Sequence, residues 1–385
     1  MMRHMPSTGD TLTQRALNRA LLARQFLLRR ERSGVENLLS ALVGMQAQEP
    51  RDPYIAMWSR VEGFRPGDLE GLLLERRAVR IVLMRGTVHL VTADDCLAIR
   101  QLVQPVLDYE LTIHSQHKTA LASFDMAPVA GPVRELLAEA PRTQAEIRTF
   151  IAERFPDAPA AAAAYAVRNL LPLVQVPPRG LWSQGGQVRT TTAESWLGRL
   201  MDTAPSIEAL VLRYLAVFGP AAPGDVTAWS GLKGAREVIE RLRPRLRVFR
   251  DERGRELFDV EDGRFADPDT PAPLRFLPEY DNVVLSHRDR SRIVPAGLRP
   301  LAVDRVGLGG LLVDGFFAGF WSSSLDDATG AATLTVELVR RISNEATAAV
   351  EAEAGRLARF RHAVASAVDV RVTNDTLAGA PRAFR

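Results

Sequence analysis

The sequence predicts an α+β protein, and three observations carry that prediction. Helical periodicity recurs in blocks over the first two thirds of the chain, and each block closes in a pair of short strand-like runs. From about residue 268 the pattern turns to alternating, β-branched segments separated by proline and glycine. Helices followed by a β-hairpin make a winged helix, so the expected architecture is a series of tandem winged-helix units ahead of a β-rich C-terminal domain. A length of 385 residues calls for two to four compact units. The expected divisions are 11–125, 126–204, 205–267 and 268–385.

The first block opens with "TQRALNRALLARQFLLRR", whose apolar residues keep helical spacing from Ala16 to Leu28. "SGVENLLSALVGMQ" follows, with Ser33 and Glu36 spaced as a capping box before the stripe Val35, Leu38, Leu39, Leu42. Pro50 biases Glu49 away from helical geometry, so this helix is expected to end near Gln46 to Gln48. A new helix starts at Asp52, with Pro53 in the first-turn position that tolerates it. "AVRIVLMRGTVHLVT" then reads as two strands joined at Arg85-Gly86. In the second block Thr143 and Glu146 form another capping box, and "LVQVPPRGLWSQGGQVRTT" reads as strand, loop and strand. The third block runs "SIEALVLRYLAVFG", "GDVTAWSG", "KGAREVIERLR" and the hairpin "LRVFRDERGRELFDV". The tail holds "GLLVDGFFAGFWSS", "ATLTVELVRR", an alanine- and glutamate-rich helix expected from Asn344 to about Ala367, and a last strand "VDVRV".

Composition narrows the function classes. At 46% hydrophobic and 25% charged residues the chain has ample core material. A single cysteine, Cys96, leaves no internal disulfide framework and fits a reducing cytoplasm. No run approaches the ~20 apolar residues of a membrane span, and "MMRHMPSTGD" lacks a signal peptide's apolar core. The net charge is only +3, and nearly all positive charge is arginine, since Lys118 and Lys233 are the only lysines. No metal or other cofactor is expected. His114 and His117 share a helical face, but no cysteine or carboxylate stands near them. "GLGG", Gly307 to Gly310, lacks the lysine of a phosphate loop and reads as a turn. Cys96 reads as a buried structural thiol.

Two basic stretches are candidates for contact with DNA. "RLRPRLRVFRDERGR" places Arg245, Arg247, Arg250, Arg253 and Arg255 around a helix end and wing, where arginines displace counterions from phosphates. Asp251, Glu252 and Glu256 offer the competing account of a solvated face. "SHRDRSR" adds His287, Arg288, Arg290 and Arg292, with an embedded acid that equally fits a surface loop.

"GMQAQEPRDP" poses the sharper question, with Gln46 and Gln48 flanking one alanine. Continuing the stripe from Leu42, Gln46 falls at i+4 and faces the buried side, where an amide must be hydrogen-bonded or costs about 1–3 kcal/mol. Helix capping by Gln46, with Gln48 in solvent, accounts for both on composition alone. Yet "ALNRALLARQFLLRR", "LLSALVGMQAQEPRDPYIAMWSR", "LMRGTVHLVTADD" and "FLPEYDNVVLSHRDRSRI" together resemble the winged-helix family of AlkZ-type DNA glycosylases. These bacterial enzymes are associated with repair of bulky alkylated bases and interstrand crosslinks. The resemblance runs from about Thr11 to Asn374 and is most specific in Gln-x-Gln and "LPEYDNVVLSHRDR". It implies winged helices in a C shape around a basic channel, a monomer, and double-stranded DNA as the partner. It places catalysis on Gln46 and Gln48, with Tyr280, Asp281 and Asn282 shaping the site or forming a structural corner. A related branch carries aspartate at the second motif position, and Gln48 departs from it, which argues against a strong carboxylate base.

Two amides suffice if the substrate is an N7-alkylguanine. That base already carries positive charge and leaves neutral, so it needs no general acid. The remaining task is to hold a water and to place partial negative charge near an oxocarbenium-like sugar, which amide oxygens can do. Excision of undamaged bases is then expected to be slow. Unhooking of crosslinks is an extension of the same chemistry. The rival classes are a winged-helix transcriptional regulator and a protein that sequesters a genotoxic compound, and neither gives Gln46 and Gln48 a role.

Overall fold

The computed structural model describes residues 6–114, 116–298 and 306–374 of this mixed α/β protein. Its strands form three sheets among the described residues. The first hairpin, Ala78–Val82 with Val88–Thr92, turns through Met84–Gly86 as expected. The second, Leu173–Gln175 with Arg189–Thr192, does not stand apart from it. Arg80 and Ile81 pair with Gln175 and Val174, joining both hairpins in one six-stranded sheet. This pairing buries two edges that separate wings would leave open. The third hairpin, Leu246–Asp251 with Glu256–Val260, takes Thr11–Leu12 as a parallel third strand. A five-stranded sheet at the C-terminal end is covered by the helix Asn344–Arg361.

The helices of the third block, Ile207–Phe218, Pro223–Ser230 and Ala235–Leu242, follow their predicted order. Trp229, Tyr214 and Phe218 are fully buried among them, each such side chain contributing roughly 1.5–3 kcal/mol. The first helix, Gln14–Arg24, lies against this block, and Arg24 forms a buried two-pronged ion pair with Asp259 at 2.7 Å on each arm.

Several expectations are corrected. The helix Val35–Ala41 is capped by Gly34 rather than Ser33, and Glu36 pairs with Arg77 instead of closing a capping box. That helix stops before the glutamines, because Val43 and Gly44 both adopt left-handed conformations. Thr143 and Glu146 do form their box. Gly307 turns the chain, but Gly309 opens the strand Gly309–Val313. The long C-terminal helix ends at Arg361, six residues short of Ala367, where the strand Ala367–Asn374 begins. The β-branched alternation of that segment overrides the helical reading.

Candidate active site

A tight reversal at Val43-Gly44 brings the chain back onto the first hairpin. A Cβ on Gly44 would meet the Val91 Cγ1 at 2.5 Å and the Leu90 carbonyl at 2.8 Å, so only glycine fits at φ +84°. The two-residue strand Met45–Gln46 then pairs with Leu90 and His89, and the Ala47 N–H donates to the Val88 carbonyl at 2.8 Å. Gln46 is therefore buried by a strand edge, not by a continued helical stripe.

Its amide is pinned by Arg85, which the sequence marks only as part of a hairpin turn. Arg85 Nη2 donates to Gln46 Oε1 at 2.7 Å, and Nη1 donates to the Trp229 carbonyl. A guanidinium only donates, so the Gln46 oxygen must face it. Arg85 adopts φ +57°, and burial, with the charge of Arg290 next, pushes it down to about 10. Across the ladder from Gln46 stands His89, fully buried. Its Nδ1 lies 3.0 Å from the Thr87 carbonyl and must carry the proton, leaving Nε2 an unpartnered acceptor. Burial and Arg85 push this imidazole down to about 3, so it is neutral. Gln48 is exposed, and its Oε1 makes one long contact, 3.4 Å from the Val88 N–H.

Behind the motif lies a cavity of about 10 Å³, the space of a single water, lined by Gly44, Met45, Gln46, Arg60, Tyr280 and Asn282. Gln48 does not line it. Asn282 donates to the Gly44 carbonyl at 3.2 Å and leaves its Oδ1 buried without a partner. Asp281 is committed to a buried ion pair with Arg60, and Tyr280 turns the corner at φ +59°. All three residues expected to shape the site thus stand at the motif. Asp52, at the start of the helix Asp52–Arg60, is buried with one unpartnered carboxylate oxygen. Burial first, then Glu279 and Glu49, raises it to about 8.

The two basic stretches come together. Asp289 accepts from Arg253 at 3.0 Å and from Arg255 at 3.1 Å, tying the wing to the 286–292 segment. Arg245, Arg250, Arg253, Arg255 and Arg288 are exposed, while Arg247 stacks on Phe249 at 4.8 Å. His287 and Arg292 do not meet the expectation of phosphate contact. Both are buried, and their ring and guanidinium nitrogens reach the Phe218 and Pro220 carbonyls and the Ser286 hydroxyl. A side chain already satisfied inside the protein has nothing left to offer a phosphate. Among the described residues, no group of three or more His, Cys, Asp or Glu side chains is arranged to hold a metal.

Comparison with known proteins says what class of protein carries this fold and site. The sequence profile of the DNA glycosylase AlkZ-like family matches residues 39–360. Among solved structures, the Streptomyces sahachiroi DNA glycosylase AlkZ is similar in fold, with a TM-score of 0.75 and 18% identity, covering 94% of this chain and 100% of that one. No curated protein matches the chain by sequence. The chain belongs to the AlkZ-like DNA glycosylase family. Its substrate is DNA, and its reaction is cleavage of an N-glycosyl bond. No described helix is long and apolar enough to cross a membrane.

Proposed function

We propose that this enzyme is a monofunctional glycosylase for cationic N7-alkylguanine in double-stranded DNA, acting as a monomer in the cytoplasm and able to unhook crosslinks built on that linkage. The observation that carries this reading is the pair of environments around the motif. Gln46 is buried and pinned by Arg85, whereas Gln48, two residues on, is exposed with one weak contact. Gln48 is then the amide that reaches the sugar. Its carbonyl oxygen orients the attacking water and stabilises positive charge on C1′ as the bond breaks. Gln46 holds the strand edge and the turn that present it. With no carboxylate at either motif position, the two amides offer acceptors but no strong base, which suits them to bases that leave readily.

The three helix-and-hairpin blocks act in this proposal as tandem winged helices, with units at 11–125, 126–204 and 205–267 ahead of a β-rich domain at 268–385. They curve in a C shape around the duplex. The exposed wing arginines, with Arg288, supply phosphate contacts. Cys96, buried and pushed up to about 12, is an inert thiol suited to a reducing compartment.

The test is a duplex bearing a single N7-methylguanine, treated with heat and alkali to reveal abasic sites. Wild type should cleave it, and Gln48→Ala and Gln46→Ala should lose most of that activity while still binding the duplex. Tight binding by wild type with no abasic product, here or on a bulkier N7 adduct, would replace this reading with that of a non-catalytic DNA-binding regulator.

A further inference from the structure

We propose that Arg51, held on the face of the Trp182 indole, clamps a backbone phosphate beside the lesion nucleotide, with Trp182 as its positioning residue. This rests on the reading of Gln48 as the amide that faces the sugar, and adds a charged contact to it.

The turn after the motif sets the distance. Gln48 and Arg51 are both exposed, and three residues of chain keep their Cα atoms within about 11 Å of each other. The Asp52 N–H donates to the Glu49 carbonyl at 3.2 Å, which folds this segment into a turn. The Arg51 carbonyl accepts from the Tyr54 and Ile55 N–H groups at 3.1 and 3.3 Å, tying its backbone to the helix Asp52–Arg60. Each sugar of a strand lies between two phosphates, so an amide facing C1′ has a phosphate within reach of a long cationic side chain fixed this close.

The guanidinium is held and yet unspent. Its carbon lies 5.4 Å from the centroid of the Trp182 ring. Other arginines stacked on tryptophan are also hydrogen-bonded. Arg30, 4.9 Å from Trp58, pairs with Glu353 at 2.7 Å, and Arg76, 4.2 Å from Trp196, donates to the Trp196 carbonyl at 3.0 Å. Among the described residues, no carboxylate lies within ion-pair distance of the Arg51 guanidinium, Glu49 included. A guanidinium stacked by its face keeps its in-plane N–H groups for an outside acceptor, and two of them match the oxygens of one phosphate. Burial first, then Glu279 and Glu49, raises the neighbouring Asp52 to about 8, so its carboxyl is neutral near pH 7 and does not repel that phosphate.

The platform is rigid. The Trp182 N–H donates to Glu70 Oε1 at 2.8 Å, and the Tyr54 hydroxyl donates to the Gly180 carbonyl at 2.8 Å. The Tyr54 and Phe360 rings each stand 5.1 Å from the indole. The loop between Leu173–Gln175 and Arg189–Thr192 thus delivers an aromatic face to the motif's own turn, a preorganised contact that needs little ordering when DNA arrives.

The experiment pairs neutral linkages with variants. A methylphosphonate would replace the phosphate on one side or the other of an N7-methylguanine, with binding and single-turnover excision measured on each duplex. For wild type, one of the two linkages should weaken binding roughly tenfold. Arg51→Gln should lose about the same affinity on the natural duplex, show a salt slope smaller by about 0.9, and lose nothing further at that linkage. Trp182→Leu, where melting curves show it folded, should keep the salt slope but lose the preference for that linkage, and Trp182→Phe should restore it. Gln48→Ala separates the two claims. If it loses excision but keeps the linkage effect, both stand; if it excises normally, the catalytic reading falls while the phosphate contact survives. A wild-type scan in which neither linkage matters, or a folded Arg51→Gln that remains sensitive to the same linkage, overturns the proposal. A folded Trp182→Leu with the wild-type preference overturns the role given to Trp182.

Discussion

Arg60 and Asp281 meet as a fully buried, two-pronged ion pair, Nη1 to Oδ2 at 2.9 Å and Nη2 to Oδ1 at 2.8 Å. The pair joins the helix that follows the glutamine motif to the corner that carries Tyr280 and Asn282. Arg60 also donates to the Gln25 and Ala56 carbonyls, so its charge is locked in place. Removing the acid strands that charge in the interior, which typically costs about 3–5 kcal/mol. Asp281→Ala should therefore shift the denaturant midpoint strongly and lower excision, because the cavity wall loses its anchor. Urea unfolding with a parallel excision assay checks this. A loss under about 1 kcal/mol with full activity would mean the pair holds neither the fold nor the site.

Buried carboxyls give a second prediction, in pH. Asp52 faces Glu279, Glu49, Asp281 and Arg361, and Arg80 feels its charge from the neighbouring strand. In the unfolded chain it releases its proton near the usual aspartate value of about 3.9, whereas the folded protein holds it to about 8. Between those values the unfolded state binds fewer protons, so stability falls as pH rises through that window and levels off above it. Asp52→Asn removes the titration. The variant should gain on wild type in melting temperature as pH rises from 5 to 8.5, and an unchanged gap would show that Asp52 ionises normally.

How much of this was legible beforehand depends on the range of the interaction. The Arg85-Gly86 turn, the helix start at Asp52-Pro53 and the Thr143–Glu146 capping box were readable because each is set within a few residues. The second helix ends before the place that Pro50 marks, because the reversal occurs at Val43-Gly44 against Val91, a partner far along the chain. Gln46 was correctly expected to be buried, but for a helical reason that does not apply. Arg85 and His89 were missed as parts of the site because nothing local marks them. Only the ladder that sets Gln46 opposite His89 brings them to the motif. His287 and Arg292 show the converse: a basic run looks solvent-facing in sequence, yet two of its members fold inward onto the carbonyls of Phe218 and Pro220.

Gly309 tests the C-terminal sheet that supports this corner. A Cβ there would collide with the indole nitrogen of Trp321, which donates to the Leu277 carbonyl at 2.8 Å, and would lie 2.5 Å from that carbonyl oxygen. Backbone cannot yield cheaply, so Gly309→Ala should cost on the order of 1–3 kcal/mol and change the Trp321 fluorescence environment. Gly307→Ala, in the open turn with φ +84°, should cost less than about 2 kcal/mol and leave Trp321 unchanged. Equal effects from the two would argue against close packing at Gly309.

The contrast between exposed and buried arginines makes the last prediction. Arg245 and Arg288 are exposed, whereas Arg292 is buried with its guanidinium donating to main-chain oxygens. Each exposed residue that touches a phosphate releases counterions, so Arg245→Ala and Arg288→Ala should each weaken binding to undamaged duplex and reduce the salt slope by about 0.9. Neither should change the excision rate once enzyme is saturating, because neither touches the motif. Arg292→Met should behave in the opposite way. It leaves the Pro220 carbonyl without its donor, while Phe218 keeps the bond from His287, which should cost about 1–3 kcal/mol of stability, but at a temperature where the variant is folded the salt slope should match wild type. Measuring the three slopes beside three unfolding curves settles which arginines face DNA. A reduced slope for Arg292→Met would mean that this buried side chain turns outward on binding, restoring the role its sequence context first assigned to it.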